Sequence, residues 1–262
     1  MNFTVITLFP AVIDAYFTES IPAKAVEKGL IGYKTVQIRD FARDAHKTCD
    51  DAPYGGGAGM LLLAAPLSRA LESAGILPKG GEAAMEGARP RVAYLSPSGR
   101  PFTQEKAAEF SRLSDLALIC GRYEGIDARI IERYVDEEIS VGDYVLSSGE
   151  LAALVVIDAV HRLVEGVITR ESLTEESFSG GLLEYPQWTR PEEFDRMRVP
   201  EVLLSGHHER IRLWRLERRV EKTMRNRPDL LEKGIREGVF DKETRDLIEK
   251  AAQGADKEQW NE

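Results

Sequence analysis

Two glycine-bearing segments, each directly after a short apolar run, hold the residues best placed to bind a ligand. Leu116-Ala117-Leu118-Ile119 leads into Cys120-Gly121-Arg122-Tyr123-Glu124-Gly125-Ile126-Asp127. Further on comes Ser140-Val141-Gly142-Asp143-Tyr144-Val145-Leu146-Ser147-Ser148-Gly149-Glu150. In an open α/β sheet the handover from strand to helix leaves unpaired backbone N–H groups facing a crevice, and ligands settle there. The chemistry on offer is recognition by backbone donors, with glycines permitting close approach. No GxGxxG follows the first strand, and Gly55-Gly56-Gly57-Ala58-Gly59 runs into Met60 instead of Lys-Ser/Thr, which excludes the common dinucleotide and P-loop motifs. His207-His208 has no acidic or cysteine partner at ligand spacing, so no metal centre is expected there.

The elements that must carry these loops follow from periodicity. Short β-branched runs over Phe3 to Leu8, Thr35 to Ile38, Val92 to Leu95, Leu116 to Ile119 and Glu138 to Val141 predict strands. Helical patterns over Pro66 to Ala74, Gln104 to Leu113, Ile126 to Tyr134 and Glu150 to Val164 alternate with them. The alternation predicts an α/β domain with a mostly parallel sheet and helices on both faces. After Gly166 the character changes. Thr169 to Ser179 is polar, acidic and without apolar period, which predicts a linker. Beyond it the pattern is helical: from Glu209 to Arg225, Leu213, Leu216, Val220 and Met224 fall on one face and Arg215, Arg218, Arg219 and Lys222 on the other. Arg227-Pro228 should end that helix, and Asp241 is a good N-cap for a last one. Gly80 to Ala88 reads as an exposed loop.

The net charge of −9 argues on average against a polyanionic partner. The distribution argues otherwise. Between Gly206 and Pro228 eight Arg and Lys face three Glu, a local +5 that leaves −14 for the rest. An acidic body with one basic limb suits docking a nucleic acid at a chosen place. Two cysteines, Cys49 and Cys120, form neither a metal cluster nor a disulfide framework, which suits reduced thiols in the cytoplasm. No stretch nears the roughly 20 apolar residues of a membrane span, and Phe3-Thr4-Val5-Ile6 is no signal peptide. A soluble, cytoplasmic protein is expected.

Taken with Tyr94-Leu95-Ser96-Pro97, the two loops resemble those of the bacterial tRNA (guanine-N1)-methyltransferases of the SPOUT superfamily. The resemblance begins at Thr7-Leu8-Phe9-Pro10 and continues through Asp50-Asp51 and Pro53-Tyr54-Gly55-Gly56-Gly57. It extends to Ser177-Phe178, Thr189-Arg190-Pro191 and Leu204-Ser205-Gly206-His207-His208. It implies a SPOUT-type parallel sheet over residues 1–168 with a C-terminal trefoil knot at about 94–149. A linker over 169–178 and a small helical tRNA-binding domain over 179–262 would follow. It also implies a homodimer acting on the anticodon arm of tRNA. The reaction implied is transfer of a methyl group from S-adenosylmethionine to N1 of the guanosine immediately 3′ of the anticodon, with magnesium as an accompanying ion.

Methylating N1 requires removal of its proton and stabilisation of the charge that spreads to O6. The resemblance assigns the base to Glu176, where the family has aspartate; the plain alternative is a solvated linker acid beside Glu175. Arg162 is implied at O6, against a plain i,i+4 surface pair with Asp158. Glu124 is implied at the guanine edge, or is simply an acid favoured by a helix N-terminus. For the donor the matching positions are Tyr94, Leu95, Ser96, Pro97, Gly121, Tyr123, Ser140, Val141, Gly142, Asp143, Tyr144, Val145, Leu146 and Gly149. Ser148 and Ala152 replace the glycine and proline usual in the family. The altered base leaves two alternatives: a related RNA methyltransferase with another target atom, or an RNA-binding relative without turnover.

Overall fold

The computed structural model describes residues 1–80, 89–169 and 175–258. The chain forms two compact units, Met1–Ile168 and Thr169–Glu262. In chain order the first contains β1 (Asn2–Thr7), α1 (Pro10–Tyr16), α2 (Ser20–Glu27), β2 (Gly32–Gln37), β3 (Asp50–Asp51), β4 (Leu61–Leu62) and α3 (Ala64–Ser73). β5 (Arg91–Pro101), α4 (Gln104–Phe110), β6 (Asp115–Cys120), α5 (Ala128–Tyr134), β7 (Glu137–Ser140) and α6 (Gly149–His161) complete it. Five strands make a parallel sheet in the order β2-β1-β6-β5-β7.

The strand alternation divides the core in two. Phe3 and Val5 of β1, Leu116 and Leu118 of β6 and Ala93 and Leu95 of β5 pack with Ile13 of α1, Phe110 of α4 and Val156, Ile157 and Val160 of α6. Ile6, Ala117, Ile119, Val92 and Tyr94 point the other way, onto Leu67 and Leu71 of α3 and Ile130 and Tyr134 of α5. A parallel sheet is expected to be covered on both faces. Each fully buried Val, Leu or Ile contributes about 1.5–3 kcal/mol, so the sheet is a firm base for the loops at its carboxyl edge.

The expected strands and helices recur with shifted ends. α5 starts at Ala128, not Ile126, because the Asp127 carboxylate accepts from Arg129 N at 2.9 Å and caps the helix there. Periodicity does not foreshadow α1 and α2, since each is only seven or eight residues long, too short to show a clear helical period. The largest departure is β5, which continues from Leu95 to Pro101. Ile139 of β7 pairs with Leu95 and again with Arg100, and Ser140 O accepts from Phe102 N at 2.8 Å. Two residues cannot occupy one place beside a strand, so β7 lies between two arms of β5. The turn joining the arms leaves no room for a side chain at Gly99, where a Cβ would stand 2.4 Å from Ile139 N and 2.5 Å from Glu138 C.

The second unit is described by itself. A two-stranded hairpin (Glu193–Phe194 and Met197–Arg198) precedes helices Glu201–Leu204, His208–Asn226, Pro228–Glu237 and Lys242–Glu258. Its core is Leu182, Val220, Leu231, Phe240 and Ile248, with Leu216 and Met224 against it. Pro228 closes one helix and opens the next, whose first-turn N–H it does not need. Asp241 caps the last helix by accepting from Thr244 N at 2.8 Å. The supposed solvent face of the long helix needs correction at Arg219, which donates to Leu183 O (3.2 Å) and Ser179 O (2.7 Å) and is partly buried. Arg219 thus closes the core. Most of the Gly80 to Ala88 loop lies outside the described residues. Among them no helix is long and apolar enough to cross a membrane.

Gly99→Ala should lower the stability of the first unit by about 1–3 kcal/mol, the usual cost of forcing a methyl into packed space. Urea unfolding would register this as an earlier midpoint. An unchanged midpoint would mean that the β5 turn does not press on β7.

Candidate active site

The middle of β5, where its register with β7 shifts, and the loops after β6 and β7 meet in one cavity of about 350 Å³, within the range of about 300–1,000 Å³ usual for small-molecule sites. Tyr94, Leu95, Ser96 and Pro97 line it from β5, Gly121 and Tyr123 from β6, and Ser140, Val141, Gly142, Tyr144, Val145, Leu146 and Gly149 from the last loop. Of the expected donor residues Asp143 does not line it. Ser98, Arg122, Gly125, Ile139, Ser147, Ser148 and Ala152 line it as well. Arg122, Gly125, Ser147 and Ser148 lie within the two loop strings and Ser98, Ile139 and Ala152 beside the matched segments, so the strand-to-helix position of those segments was the signal that could have found them.

Glycine here answers to space. A Cβ on Gly121 would lie 2.9 Å from the Tyr94 hydroxyl, and one on Gly149 would lie 2.7 Å from both Cys120 Cα and Gly121 N. The start of α6 therefore lies backbone to backbone against the end of β6, fixed by Gly149 N donating to Gly121 O at 2.9 Å. Gly142, at φ 153°, adopts a conformation that other residues resist. Tyr94 is 5% exposed, and burial, reinforced by Glu138, raises its pKa so that the phenol stays protonated. Tyr123 holds φ 58° between Arg122 and Glu124, a strain of a kind that gathers at functional sites.

Glu124 lines the same cavity, and its support was missed in the sequence. Its N–H donates to Met60 O at 3.0 Å, while a Cβ on Gly59 would fall 2.4 Å from its carboxylate. The glycine string that fails as a P-loop thus makes room for this acid.

Arg162 is elsewhere. It caps the far end of α6, about 20 Å from Gly149 at 1.5 Å per residue. There it lines a second cavity of about 470 Å³ with Tyr16, Asp158 and His161. Asp158 accepts the Tyr16 hydroxyl in a short hydrogen bond, and Tyr16 Oη lies 3.2 Å from His161 Nε2. Burial lowers the His161 pKa, opposed by the charge of Asp158 and assisted by that of Arg162. Burial and the Asp158 carboxylate raise that of Tyr16.

Glu176 belongs to the second unit, in a tight turn where Ser179 N donates to Glu176 O at 3.0 Å and Phe178 N to Leu182 O at 2.8 Å. Its neighbour Glu175 is held in the structure of that unit, since Tyr185 donates to its carboxylate at 2.8 Å and Arg215 pairs with it at 3.4 Å. Both cysteines are free and buried. The polar surroundings of Cys49 in sequence did not foretell this.

Residues 1–233 match the family model described as tRNA (Guanine-1)-methyltransferase TrmD. The chain belongs to that family. It is 60% identical over 248 residues to a tRNA (guanine-N(1)-)-methyltransferase of Treponema denticola, covering 95% of this chain and 98% of the relative. A protein of the same name from Treponema pallidum is 54% identical over 95% of each chain. One from Borreliella burgdorferi is 55% identical over 88% of this chain and 92% of its own. Membership implies use of S-adenosylmethionine as methyl donor.

Gly142→Val should weaken S-adenosylmethionine binding at least tenfold, because a side chain there would meet the Tyr144 ring, 2.3 Å from where its Cβ must stand. Titration calorimetry measures this. Undiminished affinity would remove the donor from this cavity.

Proposed function

We propose that this chain transfers a methyl group from S-adenosylmethionine to N1 of the guanosine immediately 3′ of the anticodon in tRNA. Family membership gives the reaction class. The meeting of the three segments in one cavity is the observation that carries the donor site. When bound, the donor supplies an electrophilic methyl on a good leaving group. The work left to the protein is alignment and management of charge. Glu176 takes the N1 proton, reaching one methylene further than the family's aspartate. Arg162 offsets the charge that develops at O6, and Glu124 meets the guanine edge.

This division of labour asks for a second copy of the chain. Arg162 and the donor cavity stand at opposite ends of α6, further apart than an arginine reaches. α6 is apolar nearly all round, a pattern of buried helices, yet Leu151 is 51% and Val155 49% exposed on the protomer, one turn apart. A homodimer covering that stripe brings the arginine of one chain to the donor of the other. The passage of β7 between the arms of β5 supports the trefoil knot over about 94–149. The basic helix His208–Asn226, with Arg210 and Arg225 exposed, supports the second unit, reached through the linker at 169–178, as the tRNA-binding domain and the anticodon arm as its partner. The cytoplasm is where such a substrate is found. Among the described residues no group of three or more His, Cys, Asp or Glu converges, so none of these side chains is assigned to magnesium.

With unmodified tRNA and donor, mass spectrometry of the digested product should find the methyl on N1 of that guanosine. A methyl on another atom overturns the assignment. Glu176→Gln should lose roughly 10²–10⁴ in rate, the scale of general-base catalysis, with donor affinity kept. Full activity in that variant would remove Glu176 as the base.

Mixing chains carrying Gly142→Val with chains carrying Glu176→Gln should restore activity absent from either parent, since one mixed site then has both an intact donor loop and an intact base. No restoration in proven mixed dimers would place the base on the donor's own chain. Leu151→Asp should give monomers in sedimentation and abolish turnover.

A further inference from the structure

Arg122 and Glu124 are the charged side chains of the cavity wall, and the chemistry proposed above leaves Arg122 without a role. Its guanidinium carbon stands 4.9 Å from the centre of the Phe9 ring and 6.0 Å from that of Tyr123. The ion pairs among the described residues do not include it. Aromatic faces attract a cation without neutralising it. Arg122 is partly buried, so its charge is screened less than that of a surface arginine. A partly buried cation that forms no ion pair among the described residues and faces a ligand cavity is arranged to receive an anion.

Its platform is fixed from beneath. Phe9 N donates to Thr7 Oγ1 at 2.9 Å, and Thr7 in turn donates to Glu150 Oε1 at 2.5 Å. Thr7 is 0% and Glu150 2% exposed, and Glu150 Oε2 is buried without a partner among the described residues. The carboxylate in the first turn of α6 thereby holds the end of β1, the end of β1 holds the Phe9 backbone, and the Phe9 ring carries the guanidinium.

We propose that Arg122 is the anion-binding residue of this site, taking an anionic oxygen group supplied by the carboxylate of the donor's amino-acid tail or by a phosphate of the tRNA. The proposal rests on the donor reading of the cavity. Both groups present paired oxygens that match the guanidinium fork, which an ammonium cannot reproduce. Phe9 and Thr7 are positioning residues for it.

The test uses the full chain with Arg122→Met, Arg122→Lys and Phe9→Leu. One arm compares KM for S-adenosylmethionine with KM for its decarboxylated analogue. The other follows log KM for tRNA against log salt. If the donor carboxylate is the ligand, Arg122→Met loses about tenfold of the preference for the carboxylated donor, as expected for a charge-assisted bidentate pair. Its salt slope stays. If an RNA phosphate is the ligand, the slope falls by about 1 and the donor preference stays. Arg122→Lys should restore the phosphate effect more fully than the carboxylate effect, and Phe9→Leu should shift the same quantity by less. Both quantities unchanged in Arg122→Met overturns the proposal. Should that variant fail to fold, both unchanged in Arg122→Lys and Phe9→Leu overturns it equally. Wild-type protein that binds no donor overturns the cavity reading, and this proposal with it, before any variant is compared.

Discussion

The first unit depends on two places where backbone rests on backbone with no side chain between. At one, the turn of β5 crosses β7 at Gly99; at the other, the start of α6 rests on the end of β6 at Gly149. Both contacts lie beneath the candidate site. They set the spacing of the middle of β5 and the loops after β6 and β7, and so the width of the cavity. A methyl group at either place would have to displace main chain, which a packed interior resists. Cavity shape here is therefore set by main-chain geometry, and the lining side chains add selectivity to a form already fixed.

Charge is handled differently in the two units. In the first, Arg89 pairs with Asp136 at 2.7 Å and Arg91 with Glu137 at 2.8 Å near the amino ends of the strands, away from the loops. In the second, the arginines of the long helix serve several ends. Arg212 is shared by Glu209 and Glu243, Arg215 lies 4.7 Å from the Tyr185 ring centre, and Arg219 seals the core. Of the local excess of positive charge, only part remains free for a polyanion. Counting basic residues along the helix overstated it, because periodicity does not distinguish an arginine that faces water from one that spans a core.

The strands and the loops they carry were legible because β-branched runs and glycine punctuation are local signals. The sheet order was not, since pairing of β1 with β6 joins residues more than a hundred positions apart. The residues expected to hold the donor came from the resemblance, and the structure gathers all of them but Asp143 around one cavity. The remoteness of Arg162 from that cavity could not be foreseen. Its distance follows from the length of α6, and a sequence match records order without direction in space. The role of Gly59 in seating Glu124 escaped for a related reason: the glycine string was judged against phosphate-binding motifs, while the contact it makes is with an acid far along the chain.

The flanking of β7 by both arms of β5 also bears on how the chain reaches its structure. A strand at an open edge can be added last, from outside. β7 is held more closely than that, because Ile139 pairs with both Leu95 and Arg100. The two pairings cannot both form until β7, some forty residues after the second arm, has been made. Closure then joins positions distant in sequence, which slows folding, and the half-built edge is exposed for that interval. Release of the nascent chain before residue 140 would leave the first arm paired with β6 alone and the second without its partner strand, so this edge of the sheet and the loops it carries mature late.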